Sequence, residues 1–390
     1  MTAPEIIRAD DALAELAAEI GRARWVAIDT EFMRERTYAP QLCLIQVAAD
    51  GVAACIDALA IDDLAPLRAP LADDAVIKIF HSCRQDLEAL DTRIEGLQSR
   101  NLYDTQLAAA FCGYGDQTSY AALVESLCAV HLAKAHTRAD WSRRPLSSAQ
   151  LRYAIDDVNY LQPLRERLDN MLAHNGRAPW HRRECELAAE PSSYRVDPAD
   201  AWRRLKGLER LDAAGQSCAR ALADWRERRA RARDLPRNWI LPAPTLLQIC
   251  RQRPDTLARL GRIDGVSAGT LKHCGNAILA CVAQSAETRD AAAPQMLTAA
   301  QRKRAKQILA LLEGCAQREQ ISRSLLANRQ EIENFVRATD AASSGKGVAL
   351  FDEESASAED LAATRSPLFT GWRAQLIGDE ILAQFSTRCT

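Results

Sequence analysis

Apolar and polar positions alternate differently in the two ends of the first 200 residues. Trp25 to Ile28 is an apolar run with β-branched residues, and it predicts a strand that continues through Asp29-Thr-Glu-Phe32. Gln41–Ala48 and Val52–Asp57 predict two more strands. Asp50-Gly51 joins them, and Asp-Gly between apolar runs signals a hairpin. The result is an antiparallel meander of three strands, preceded by a short amphipathic helix over 11–20. After a further helix, Val76–Phe80 reads as a strand and Ser82–Leu90 as a helix. Leu102-Tyr103 reads as a short strand and Asp104–Phe111 as a helix. Strands alternating with helices imply crossover units beside the meander, hence a mixed sheet in an α/β domain. From about 117 to 201 the pattern is helical, with Ser147 or Ser148 capping one helix.

The polar positions that interrupt this pattern carry the chemistry. Asp29 and Glu31 are two apart on a strand, so they project from one face. Two adjacent carboxylates repel each other and suit a hard divalent cation such as magnesium or manganese. A strand end with two solvated acids is the plainer alternative. His81 and Asp86 straddle the fourth strand's end and the next helix, where sites in α/β sheets tend to lie. His81 reads as a ligand, a phosphate contact or a hydrogen-bonded structural histidine. Asp86 by itself is a first-turn acid favoured by the helix dipole. Tyr153 and Asp157, four apart, share a helix face. Leu146, Ile155 and Leu161 turn to the core, and Asp156 turns about 100° away from Asp157, toward solvent. Upstream, Trp141 stands beside Arg143 and Arg144, a mix suited to a base face and phosphates, or to a surface loop anchored by a half-buried tryptophan. Gly113-Tyr-Gly115 and Gly345-Lys-Gly347 lack the spacing of nucleotide loops.

Length and charge change the picture at the scale of domains. At 390 residues, 47% of them hydrophobic, two or three domains are expected. The net charge of −2 hides an asymmetry: residues 1–130 hold 10 Lys/Arg against 21 Asp/Glu (−11), and residues 202–290 hold 17 against 9 (+8). An acidic working domain joined to a basic holding domain points to nucleic acid. The 12 cysteines form no C-x-x-C pair, which argues against a zinc site or disulfide framework and for free thiols in the cytoplasm. The first ten residues lack a signal peptide's apolar core, and no run reaches transmembrane length.

Taken in order, Asp29-Thr-Glu-Phe32, His81-Ser-Cys-Arg-Gln-Asp-Leu-Glu88 and Tyr153-Ala-Ile-Asp-Asp157 resemble the three motifs of the DEDD superfamily of 3′→5′ exonucleases and, more closely, the ribonuclease D family. Tyrosine four residues before the last acid marks the tyrosine subclass; the histidine subclass has its histidine one position earlier, where this chain has Arg152. Asp104-Thr-Gln and Trp141–Leu146 are similar to the family's surroundings, and the likeness spans about 20–200. Leu211–Ala283 resembles a helicase-and-RNase-D C-terminal (HRDC) domain, through Trp225–Leu241, Pro254 and the Ile263–Val266 turn. Its arginine-rich helix offers Arg226, Arg229 and Arg233 to a phosphate backbone. A second HRDC-like unit is expected over about 295–386, carried by Leu326–Arg329 and Gly371–Arg373, with 340–360 a mobile loop. The domains expected are 1–201, 202–290 and 291–390.

The resemblance implies a ribonuclease-H-like exonuclease domain that trims RNA 3′ ends, precursor tRNA among them, and releases 5′-nucleoside monophosphates. By resemblance Asp29, Glu31, Asp86 and Asp157 hold two divalent metal ions, Mg2+ or Mn2+, with Asp29 as the bridge. Tyr153 orients the attacking water, as a positioner rather than a strong base given an ordinary pKa of about 10. Glu31 also meets the terminal 3′-hydroxyl. DNA as the substrate, or a catalytically silent RNA-binding scaffold, are the competing readings. A monomer is expected.

Overall fold

A computed structural model describes residues 5–133, 136, 139–287, 296–343 and 366–385. The chain divides into two compact units, Met1–Val196 and Asp197–Thr390.

The first unit is built on one six-stranded mixed sheet. Its strands are β1 (Glu5–Ile7), β2 (Trp25–Met33), β3 (Gln41–Ala49), β4 (Val52–Ile56), β5 (Ile77–Phe80) and β6 (Leu102–Asp104), in spatial order β1-β4-β3-β2-β5-β6. The β2-β3-β4 meander is antiparallel, and β5 lies parallel to β2 and β6 to β5. Gly51 turns the hairpin at φ 83°, a value that costs glycine little. β1, parallel to β4, was not expected: three residues are too few for a period to show.

The helices are α1 (Asp10–Ile20), α2 (Arg68–Ala72), α3 (Arg84–Asp91), α4 (Thr105–Phe111), α5 (Tyr120–Cys128), α6 (Ser148–Asn159), α7 (Leu161–His174), α8 (Ala178–Ala189) and α9 (Pro191–Tyr194). They give the sheet two different faces. Val26, Ile28, Ile45, Val47 and Ile56 pack with Leu13 and Leu16 of α1 and Leu87 and Leu90 of α3. Leu44 and Cys55 pack instead with Trp141 and with Leu151, Ala154 and Ile155 of α6. Because strand side chains alternate, Thr30 falls on the α3 face and Asp29 and Glu31 on the α6 face.

Two caps fix the helices that matter most. Ser147 Oγ accepts the Gln150 N–H (3.2 Å), and Gln150 Oε1 accepts the Ser147 N–H (3.0 Å). This reciprocal box, worth about 1 kcal/mol, sets the start of α6. Asp104 caps α4 through the N–H groups of Gln106 and Leu107, and also accepts those of Ser82 and Cys83. That is why α3 starts at Arg84 and not at Ser82: the two preceding amides bond to Asp104, and Ser82 sits at φ 64°.

In the second unit α10 (Ala213–Arg233) is the long central helix. Around it are α11 (Arg237–Ile240), α12 (Ala243–Gln252), α13 (Leu257–Leu260) and α14 (Ala268–Glu287). Cys218, Leu222, Ile249, Cys250, Leu260 and Ile278 are among its buried residues. Helices α15 (Ala299–Glu319) and α16 (Arg329–Ser343) follow, then the short helical pieces Gly371–Arg373, Ala374–Gly378 and Asp379–Phe385. Gly345-Lys-Gly347 and most of 340–360 lie outside the described residues. Among the described residues, 11 cysteines are free thiols, and no helix is long and apolar enough to cross a membrane.

Candidate active site

Strand β2 and helix α6 bring three acids to one point. One ligand oxygen each from Asp29, Glu31 and Asp157 lies within 4.8 Å of the others. Asp29 and Glu31 reach it because they share the α6 face of β2, and the strand slips register just beyond them, between Glu31 and Phe32. Asp157 reaches it from one turn beyond Tyr153, whose hydroxyl helps to hold the Asp157 carboxyl down against its burial. The Tyr153 ring is flanked by Trp141, 6.2 Å between centroids, and by the edge of His136 at 5.7 Å. The acids open into a cleft of about 240 Å³ that Thr30, His81, Tyr120, Tyr153 and Leu161 also line.

Asp86 is not drawn into this group. It approaches β2 from the other face, where the Thr30 hydroxyl donates to its Oδ1 at 2.6 Å. It is buried and close enough to Asp29 and Glu31 for their charges to interact.

The electrostatics of the cleft are those of uncompensated acids. Burial, eased a little by the Thr30 backbone N–H, raises the Asp29 carboxyl to about 7. Burial and then the charges of Asp29, Asp157 and Asp86 raise Glu31 to about 9. Burial and Asp29 raise Asp157 to about 8, and burial and Asp29 hold Asp86 well above the carboxylate range. Among the described residues, no Lys or Arg lines the cleft. An all-oxygen donor set of this kind fits a hard divalent cation, which would restore the anions and release their protons.

Comparison with known proteins places this geometry. Residues 4–173 match the family described as 3′-5′ exonuclease, and residues 215–282 match the HRDC domain. Ribonuclease D of Acidiphilium cryptum is 38% identical over 382 residues, covering 97% of this chain and 92% of that protein. The chain belongs to the ribonuclease D family. The Escherichia coli ribonuclease D sequence is 36% identical over 337 residues, covering 85% of this chain and 89% of that protein. The E. coli crystal structure, described as an exoribonuclease involved in structured RNA processing, superposes with a TM-score of 0.83 at 33% identity, over 98% of this chain and all of that one. The chain is thus an enzyme of this family, a hydrolytic 3′-5′ exoribonuclease by class, with an exonuclease domain followed by a helical HRDC domain.

Four residues expected to touch RNA in this ribonuclease D relative are turned to structural work. Both His81 ring nitrogens are engaged, with Thr105 Oγ1 (2.9 Å) and the Thr118 carbonyl (3.1 Å). The ring is held in place by these bonds while it lines the cleft. Trp141 is 2% exposed, so it has no face for a base and serves as a wall behind Tyr153. Arg144 grips the Asp57 carboxylate with two bonds of 2.8 and 2.6 Å and the carbonyls of Cys43 and Trp141. Arg226 is 5% exposed and donates to the Leu241 carbonyl. Three others reach the surface. Arg143 is exposed beside Asp140; Arg229 lies over the Trp225 ring and donates to the His273 carbonyl; Arg233 is exposed at the end of α10. Nothing in the pattern of residues singled out Thr30 or Tyr120 in the cleft, or Trp239, which is 60% exposed on α11.

Proposed function

We propose that the cleft hydrolyses RNA from its 3′ end one nucleotide at a time, in tRNA 3′ maturation among other tasks, releasing 5′-nucleoside monophosphates. The observation that carries this is the convergence of Asp29, Glu31 and Asp157 within 4.8 Å, in a cleft that Tyr153 also lines. Asp29, Glu31, Asp157 and Asp86 would hold two divalent ions, magnesium or manganese, which supply charge neutralisation and an acidified water when bound. Asp29 would be a ligand to both. The Tyr153 hydroxyl, one turn before Asp157 and walled by Trp141, orients the water that attacks the last phosphorus. Glu31 faces the terminal 3′-hydroxyl and so restricts attack to the chain end. The bond to the penultimate 3′-oxygen breaks, and that oxygen takes up a proton.

Residues 1–201 do this chemistry; 202–290 and the helices of 291–390, as a second HRDC-like unit, hold the RNA. Arg229, Arg233 and Trp239 present cations and one aromatic face to a single strand. The protein acts as a monomer in the cytoplasm. The test is a time course on 5′-labelled single-stranded RNA and its DNA counterpart, with magnesium, manganese or EDTA. A metal-dependent ladder shortening from the 3′ end of RNA, and no cleavage by purified Asp29→Asn or Asp157→Asn protein, is the expected result. Equal degradation of DNA would move the substrate, and RNA binding without cleavage would make the protein a scaffold.

A further inference from the structure

Directly across the β2-β3 ladder from Asp29 stands Gln46. Its side chain is 0% exposed, and neither its Oε1 nor its Nε2 has a hydrogen-bond partner. Buried amides are almost always bonded, so an orphan of this kind calls for a reason. Packing gives none, since an apolar residue of the same shape would fill the position without the desolvation cost. The location does. Opposed residues of an antiparallel pair point to the same face with Cβ atoms about 4.5–5.5 Å apart, so Gln46 and Asp29 stand side by side on one face of the sheet. Cys55, opposite Gln46 on the other side, belongs with Trp141 and Ala154 of α6 to the packing on that same face.

We infer that Gln46 is a positioning residue for Asp29, its Nε2 donating to that carboxylate once a divalent cation is bound. The inference rests on reading Asp29 as a metal ligand. A ligating carboxylate needs donors for the lone pairs its cation leaves unused. A neutral amide supplies one without repelling the cation, as lysine or arginine in that place would.

The variant that tests this is Gln46→Leu, with Gln46→Met, unbranched like glutamine, beside it in case branching disturbs the packing. The readout is Mn2+ binding by the full-length protein, followed by titration calorimetry and by thermal shift, with no RNA present. Both variants are expected to melt without metal at or above the wild-type temperature, because an orphaned amide has gone. Both should need roughly 10- to 100-fold more Mn2+ for half-saturation, the range of lost outer ligand contacts. With saturating metal, kcat on RNA should fall while KM stays. Gln46→Leu and Gln46→Met proteins with a wild-type Mn2+ midpoint, when Asp29→Asn has lost binding, would overturn the role of Gln46 alone. Wild-type protein that binds no Mn2+ would overturn the metal reading and Gln46 with it.

Discussion

The Arg144 guanidinium is turned inward, and that orientation decides what its loss should do. Its partner Asp57 is almost wholly buried, 3% exposed at the side chain against 25% for Arg144. Burial alone would raise the Asp57 carboxyl, but the arginine holds it below its usual value. Removing one member of a buried pair costs about 3–5 kcal/mol; with Arg144 partly in water we expect roughly 2–4 kcal/mol for Arg144→Ala. At ~2–4 °C per kcal/mol, the melting temperature should drop by several degrees while the folded variant binds RNA as the wild type does. A stable variant with weakened RNA binding would reverse the assignment. The sequence could not show this, because Asp57 lies 87 residues away. Asp29, Glu31, Tyr153 and Asp157 were legible for the opposite reason: strand alternation and i,i+4 spacing fix their directions locally. Asp86 falls between the two cases, its place on α3 readable but its tether to Thr30 not.

At the scale of elements, the strands of the meander and the α6 cap could be read because each is set by neighbours in sequence. The turn after α10 could not. It is held from inside by two charged residues of α10 itself. Glu227, 1% exposed, accepts two bonds from Arg237 (2.5 and 2.7 Å), and Arg226 donates to the Leu241 carbonyl. Between Arg237 and Leu241 the chain presents Trp239 to solvent. On the proposed RNA path, a tryptophan this exposed on a turn this firmly held would offer a stacking face to a base. Base–aromatic stacking is worth about 1–3 kcal/mol, so Trp239→Ala should weaken single-stranded RNA binding in EDTA by roughly 5- to 100-fold, with melting temperature unchanged. Arg233→Ala should instead lower the salt dependence of binding by about one counterion. Unaltered anisotropy titrations for Trp239→Ala would dismiss the turn as part of the RNA path. Arg226, which sequence reasoning put on the phosphate side, belongs to the scaffold that holds the turn in place.

At the scale of the whole molecule, charge is segregated so that the catalytic unit is the acidic one, and three of its acids converge in its cleft. This couples stability to pH and to metal. The Asp29, Asp157 and Glu31 carboxyls stand near 7, 8 and 9 in the folded protein, against ordinary values of 3.8, 3.8 and 4.5. Between those limits the folded state holds more protons than the unfolded chain, so its stability falls as pH rises. The contribution is fully present below about pH 4 and lost on passing upward through about 7 to 9. Metal-free protein should therefore melt several degrees lower at pH 8.5 than at pH 6. A divalent cation held there as proposed would reverse the sign. It would bind the ionised acids, and binding to the folded state alone stabilises it as RT ln(1 + [L]/Kd), so the stabilisation by manganese should grow with pH. Glu31→Gln removes the most strongly raised of the three groups and should flatten both curves, which separates this cluster from every other titrating group in the chain. Melting curves with and without manganese that run parallel from pH 6 to 8.5 would mean that the three acids neither share protons in the empty site nor release them to a metal.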